Sequence, residues 1–235
     1  MGYLIWLVAL AIFLLSILAG FLVFRLAETQ QPKFHQLVDA MVSGVFFGAG
    51  LMCFLPEAGE ALGYGGFCIT GLMYLFFLWL EHLSRETSRS SHWLAVMPLV
   101  LMMSHAWFEG CALGLSDTYA VFSVVAIAIL SHKFFESFAL AVHIQKTFKR
   151  QQRYFAFVLF CIMTPLGMLS TQLISSSLSQ TWVGVAQAIS AGTFLYLGTL
   201  FGLKRSVLVK QCCDLKQFGC VVFGFSLMSL IAFFY

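Results

Sequence analysis

Eight apolar stretches, each close to the ~20 residues that a helix needs to cross a hydrocarbon layer, occupy nearly all of this chain. They cover residues 3–24, 37–55, 64–83, 93–115, 119–144, 155–174, 182–203 and 218–235. In lipid a backbone must satisfy its own hydrogen bonds, so segments of this length and composition fold as helices. Tyr and Trp stand at several of their edges, where interfacial anchors are expected. Gly44, Gly48, Gly50, Gly192 and Gly198 lie inside the runs and permit close helix contact. We therefore read residues 1–235 as one all-α, eight-helix transmembrane domain, with the first run a retained span rather than a signal peptide.

Composition agrees. Hydrophobic residues make up 60% of the chain and charged residues 10%, against about 25% charged in soluble domains. The net charge of +3 is too small to suggest a nucleic-acid partner. The seven cysteines show no paired spacing and read mostly as small apolar fillers.

The cations orient the spans. Connections one, three, five and seven hold Arg25 and Lys33, Arg85 and Arg89, Lys146, Lys149, Arg150 and Arg153, and Lys204, Arg205, Lys210 and Lys216. That is twelve of the thirteen Lys and Arg, and the alternate connections hold none. The positive-inside rule puts the basic side in the cytoplasm, with both termini extracytoplasmic. The expected location is a plasma membrane or bacterial inner membrane, crossed many times.

The thirteenth cation, Lys133, falls inside span five, in the neighbourhood of the other ionisable residues. Span four carries His105 and Glu109; span five carries His132, Lys133 and Glu136. Buried ionisable groups in a span are costly and usually functional. Each His-x-x-x-Glu pair is spaced i, i+4, so its members share one helix face. The short connection at residues 116–118 makes the two helices antiparallel neighbours. All four side chains should then meet near the midplane, where transport sites are expected.

Two imidazoles and two carboxylates suit Zn²⁺, and also Fe²⁺, Mn²⁺ or Co²⁺. The set lacks the thiolate that Cu(I) favours, and its nitrogens disfavour Mg²⁺ or Ca²⁺. The reading is a carrier for a divalent transition metal, not an enzyme. A membrane metallohydrolase using the same ligands is the alternative. It would need a general base and substrate cleft that the sequence does not show, and no His-Glu-x-x-His motif is present. A proton relay through the carboxylates and a purely structural Glu–Lys–His network are further alternatives.

At these residues the sequence resembles the ZIP (zinc/iron-regulated transporter-like) family. Residues 105–114, His-x-x-x-Glu-Gly followed by Ala-Leu-Gly, look like its fourth-helix motif. Residues 132–140, His-Lys-x-x-Glu-Ser-Phe-Ala-Leu, are similar to its fifth-helix motif. Leu55-Pro56-Glu57, Thr164-Pro165-x-Gly167 and Ala191-Gly192-Thr193-Phe194-Leu195-Tyr196 add to the likeness. The resemblance implies eight spans with both ends outside, and uptake of Zn²⁺, with Fe²⁺, Mn²⁺, Co²⁺ or Cd²⁺ as further candidates, into the cytoplasm. It implies a site between helices four and five and admits a homodimer.

Many members hold two metals, and here the chain departs. Ala106 and Lys133 stand where binuclear members often have Asn and Asp, and span six offers no carboxylate. The expectation is a single-metal site of His105, Glu109, His132 and Glu136, with the Lys133 ammonium in place of a second cation. Phe108 and Phe135 replace motif prolines, so strong kinks are not expected in these two helices. The usual His-rich loop between spans three and four is reduced to His82 and His92.

Three residues are candidates for the pathway. His143, seven residues beyond Glu136, reads either as an exit ligand or as an interfacial histidine beside a basic loop. Asp39, with His35 nearby, invites the same two readings at the start of span two. Glu57, with Glu60, lies in a cation-free connection and reads as an attractor of incoming cations or as ordinary solvated charge. Ser104, Ser131, Ser137, Gln172 and Gln187 are candidates for supporting hydrogen bonds.

Overall fold

The computed structural model describes residues 2–26, 32–86, 91–116, 118–174, 180–199 and 215–233. Among them the chain is helical: α1 (Gly2–Leu26), α2 (Pro32–Gly48), a π-helical segment (Ala49–Phe54), α3 (Leu55–Leu62), α4 (Tyr64–Glu86), α5 (Ser91–Gly114), α6 (Tyr119–Thr147), α7 (Arg150–Ile174), α8 (Gln180–Leu197) and α9 (Leu215–Phe233). The connections at 87–90 and 200–214, with Arg89, Lys204, Arg205, Lys210, Cys212 and Cys213, lie outside the described residues.

Among the described residues seven helical rods are long and apolar enough to cross a membrane, and they correspond to seven of the eight predicted spans. The remaining predicted span, 182–203, is represented by α8, with residues 200–203 outside the described part. Polar and small residues (Gly184, Gln187, Ser190, Gly192, Thr193) dilute its hydropathy. The reason lies in its position: Ala188, Ala191, Phe194 and Leu197 are all fully buried, so α8 faces protein rather than lipid. By contrast Leu7, Leu10, Leu14 and Leu18 of α1 are exposed, as a lipid-facing stripe would be.

Glycine seams hold the rods together. A side chain on Gly110 would run into the Thr164 carbonyl, and one on Gly167 into the Trp107 carbonyl, so α5 and α7 fit only because both positions lack a Cβ. The α2–α9 pair repeats the device with Gly44 against Val221 and Gly224 against Met41. Along α4 and α8, Gly192 meets Thr70, whose hydroxyl donates to the Ala188 carbonyl at 3.1 Å. Gly167→Val should force α7 off α5, costing about 1–3 kcal/mol or more by overpacking. A fall in the detergent-solubilised melting temperature checks this; an unchanged melt contradicts it.

The π-helical segment is a local consequence of sequence. The Leu55 N–H reaches back to the Gly50 carbonyl, one residue further than in an α-helix. Pro56 follows at once and has no N–H to give, so it opens α3 where the ladder has already slipped. The wide turn swings Phe54 inwards, fully buried. Gly63 then closes α3 at φ 58°, a backbone that favours glycine, and α4 starts back through the bundle.

The helix ends that carry described cations gather at one end of the bundle. Phe24 of α1 packs edge-on against Tyr154 of α7, with ring centroids 5.4 Å apart. Lys146 of α6 approaches Asp39 of α2 at 3.8 Å, and Gln217 of α9 bonds Gln36 of α2 at 3.4 Å.

Candidate metal centre

Helices α5 and α6 are each continuous, α5 with Pro98 inside it, and both contribute buried residues to the bundle. Each presents its His and Glu on one inward face. The His105 Nε2 lies 2.9 Å from Glu109 Oε1 one turn away, and His132 Nε2 of the neighbouring helix lies 2.5 Å from the same oxygen. His105, Glu109, His132 and Glu136 each offer a ligand atom, and these atoms all lie within 4.8 Å of one another. All four residues are fully buried. Donors bound at about 2.1 Å to a tetrahedral ion sit about 3.4 Å apart, so a small inward shift of side chains would close the set around one ion.

Lys133 completes the cluster. Its Nζ lies 3.1 Å from Glu109 Oε2 and 2.7 Å from Glu136 Oε2, and 5.0 Å from the centre of the Phe160 ring. Two carboxylates and one ammonium leave a charge of −1, which is far less costly to bury than two unpaired carboxylates. The contacts also show which atoms remain available. Glu136 Oε1 and His132 Nδ1 have no hydrogen-bond partner among the described residues. An uncompensated buried carboxylate oxygen such as Glu136 Oε1 is rare in native proteins and calls for a reason, and a cation at this point would be one.

Aromatic rings wall the cluster. The Phe194 ring lies 3.9 Å from that of His105 and 4.8 Å from that of His132, and Phe54 from the π-helical segment lies 5.5 Å from His132. Such walls keep water out and strengthen the electrostatics within.

Two cavities flank the centre. One of about 420 Å³ is lined by Glu57, Glu60, Ser116, Val125 and Gln187, and Gln187 Nε2 donates a hydrogen bond to Glu57. Val125 precedes His132 by seven residues, about 10 Å of helix. On the other side of the centre a cavity of about 30 Å³, room for roughly one water, is lined by Asp39, Phe46, Pro98, Met102, His143 and Lys146. The three pathway candidates therefore line cavities on opposite sides of the cluster.

Other expectations fared unevenly. Ser104 and Ser131 turn back to carbonyls of their own helices, Leu101 and Ala128, rather than to the centre. Ser137 has no hydrogen-bond partner among the described residues. The side chains of His35 and His92 lie outside the described residues. Cys53, Cys111 and Cys161 are buried, as apolar fillers would be, whereas Cys68 is exposed.

Sequence reasoning missed several contributors. Thr193 contacts His105 Nδ1 at 2.7 Å; the sequence offered it only as part of the 191–196 motif, with no role attached. Phe54, Phe160 and Phe194 are ordinary members of a Phe-rich chain until the fold places them. Glu81, 9% exposed and 3.5 Å from the Tyr196 hydroxyl, was not singled out, because it sits near the end of its span.

The sequence model of the family described as "ZIP Zinc transporter" matches residues 80–232, well over half of the chain and all of the centre just described. This chain belongs to the ZIP family. It is 34% identical over 143 residues to the zinc transporter ZIP2 of Mus musculus, covering 57% of this chain and 46% of that protein. The human ZIP2 is 33% identical over 144 residues, with the same coverage. The zinc transporter ZIP1 of Danio rerio is 30% identical over 160 residues, 65% of this chain and 52% of that protein. The chain thus spans about half the length of these curated ZIP relatives. ZIP membership makes it a multi-pass membrane protein of a metal-transporter family, and lends no support to the hydrolase alternative.

Proposed function

We propose that this chain carries Zn²⁺ into the cytoplasm through a single-metal site formed by His105, Glu109, His132 and Glu136. Fe²⁺, Mn²⁺, Co²⁺ and Cd²⁺ fit the same donors and are candidate competing cargoes. The observation that carries the reading is the convergence of four donor atoms within 4.8 Å between two buried helices. The names of the ZIP relatives favour zinc as cargo.

The proposed arrangement has eight spans, with α8 among them, and both termini outside, as the basic connections require. The plasma membrane or bacterial inner membrane is its setting, and a homodimer is compatible with the family. An ion enters the cavity beside Glu57, whose carboxylate attracts it, and sheds water against the aromatic walls. It then displaces the direct contacts of His105 and His132 with Glu109 and takes Glu136 as its fourth donor. With one divalent ion bound, Glu109, Glu136 and the Lys133 ammonium sum to +1, so the carboxylates do not require a second metal. The helices carrying the ion move relative to the rest, and it leaves past Asp39 and His143.

Proteoliposomes test the reading. Vesicles holding the purified chain should accumulate Zn²⁺ above protein-free vesicles, and excess Fe²⁺ or Cd²⁺ should reduce the uptake. Stoichiometric Zn²⁺ binding with no accumulation would remove the carrier assignment.

A further inference from the structure

We propose that Thr193 is a positioning residue that fixes which nitrogen of His105 faces the metal. The inference rests on the metal-site reading above and adds a residue from α8 to it.

Thr193 is almost fully buried, and its Oγ1 makes three contacts. It lies 2.7 Å from the Ser190 carbonyl, 3.1 Å from the Ile189 carbonyl and 2.7 Å from His105 Nδ1. A hydroxyl has one proton and two lone pairs. Both carbonyls are acceptors only, so the proton serves them, in the back-bonding common for Thr in helices. With its proton so engaged, the oxygen accepts from His105, which places the imidazole hydrogen on Nδ1. A neutral imidazole has a single N–H, so Nε2 keeps its lone pair.

That lone pair points at the centre. Nε2 lies 2.9 Å from Glu109 Oε1, and a lone pair facing a carboxylate at this range is favourable only with a cation shared between them. Thr193 thus prepares His105 as a ligand rather than as a donor to Glu109. Phe194, the next residue, packs against the same ring, tilted by 41° with the centroids 3.9 Å apart. Two consecutive residues of α8 therefore set the tautomer and the plane of a ligand that belongs to α5. This gives the polarity of α8 a function: the helix carries the support for the centre and none of its four donors.

The opposite assignment has Thr193 donating to Nδ1 and Nε2–H donating to Glu109. It would leave the two α8 carbonyls without that hydroxyl proton and would cover the metal-facing nitrogen with hydrogen. The two assignments differ in whether the hydroxyl helps metal binding or hinders it.

The test is equilibrium Zn²⁺ binding to the purified full chain, by competition with a chelating dye, with Co²⁺ absorption as a second probe. Loss of a supporting hydrogen bond to a ligating histidine typically weakens binding by about 10–100-fold, and Thr193→Val should fall in that range with a changed Co²⁺ spectrum. Thr193→Ser retains the hydroxyl and should restore near-normal affinity. In a His105→Ala background, Thr193→Val should cause no further loss, since it acts through that ring. Should the valine variant fail to fold, Thr193→Ala takes its place in each comparison. Wild-type affinity in Thr193→Val, a serine variant as weak as the valine one, or an undiminished loss in the His105→Ala background would each overturn the inference. Absence of Zn²⁺ and Co²⁺ binding by the wild type would instead overturn the metal-site reading itself.

Discussion

Glu109→Ala is expected to abolish metal uptake and to lower the stability of the protein at the same time. Within the cluster, Glu109 touches every other charged or ligating group except Glu136. Its Oε1 lies 2.9 Å from His105 and 2.5 Å from His132, and its Oε2 lies 3.1 Å from Lys133. Removing it takes away a donor and leaves the Lys133 ammonium with Glu136 as its remaining carboxylate among the described residues. Breaking a buried ion pair from one side costs about 3–5 kcal/mol, because the other charge stays buried. Glu109→Gln preserves the shape and should lose uptake as well, since an amide cannot supply the negative charge. Uptake in proteoliposomes, read beside the thermal melt in detergent, checks both. Normal uptake by Glu109→Gln at normal stability would contradict the account.

Lys133→Asp is expected to raise the metal content from one ion per chain to two. In the wild type, Glu109, Glu136 and Lys133 sum to −1. The substitution changes one position from +1 to −1 and brings the cluster to −3, in a place where uncompensated charge is severely penalised. A second divalent ion is the available remedy: the new carboxylate stays on the same α6 face as Glu136, three residues away, and an ion can fill the space between it and the two glutamates that the ammonium had occupied. The variant should therefore melt well below wild type in chelator and regain stability as Zn²⁺ is added. Metal analysis of the purified variant after dialysis gives the stoichiometry. A ratio that stays at one, with Zn²⁺ not affecting the melt, would show that Lys133 is not standing in for a cation.

The contrast between what was legible in the sequence and what was not has a physical basis. The spans were legible because each is a local property, a run of apolar residues, and seven of the eight predicted stretches fall on rods of the expected kind. The convergence of His105, Glu109, His132 and Glu136 was legible because i, i+4 spacing fixes a face and a short connection fixes the partner helix. The presence of Lys133 among these residues was legible from its position in span five, but its simultaneous contact with Glu136 of its own helix and Glu109 of α5 comes from the packing of α5 on α6. Thr193 was not legible as a neighbour of His105, because 88 residues separate them and only the packing of α8 on α5 joins them. The same holds for Phe54, whose direction depends on a slip in the helix ladder at Ala49–Phe54 that no apolar pattern encodes. The lower hydropathy of α8 has a related origin: the polar and small residues that dilute it include Thr193, which meets His105.

The claim at the base of the account is that His105, Glu109, His132 and Glu136 hold one divalent ion in common. X-ray absorption at the zinc edge of the purified, Zn²⁺-loaded chain tests it most directly. The account predicts one zinc per chain in a shell of nitrogen and oxygen at about 2.0–2.2 Å, with the multiple-scattering signature of two imidazoles and no sulfur. Zinc ligated by sulfur, or a wild-type spectrum that persists unchanged in a His105→Ala, His132→Ala double variant, would contradict it.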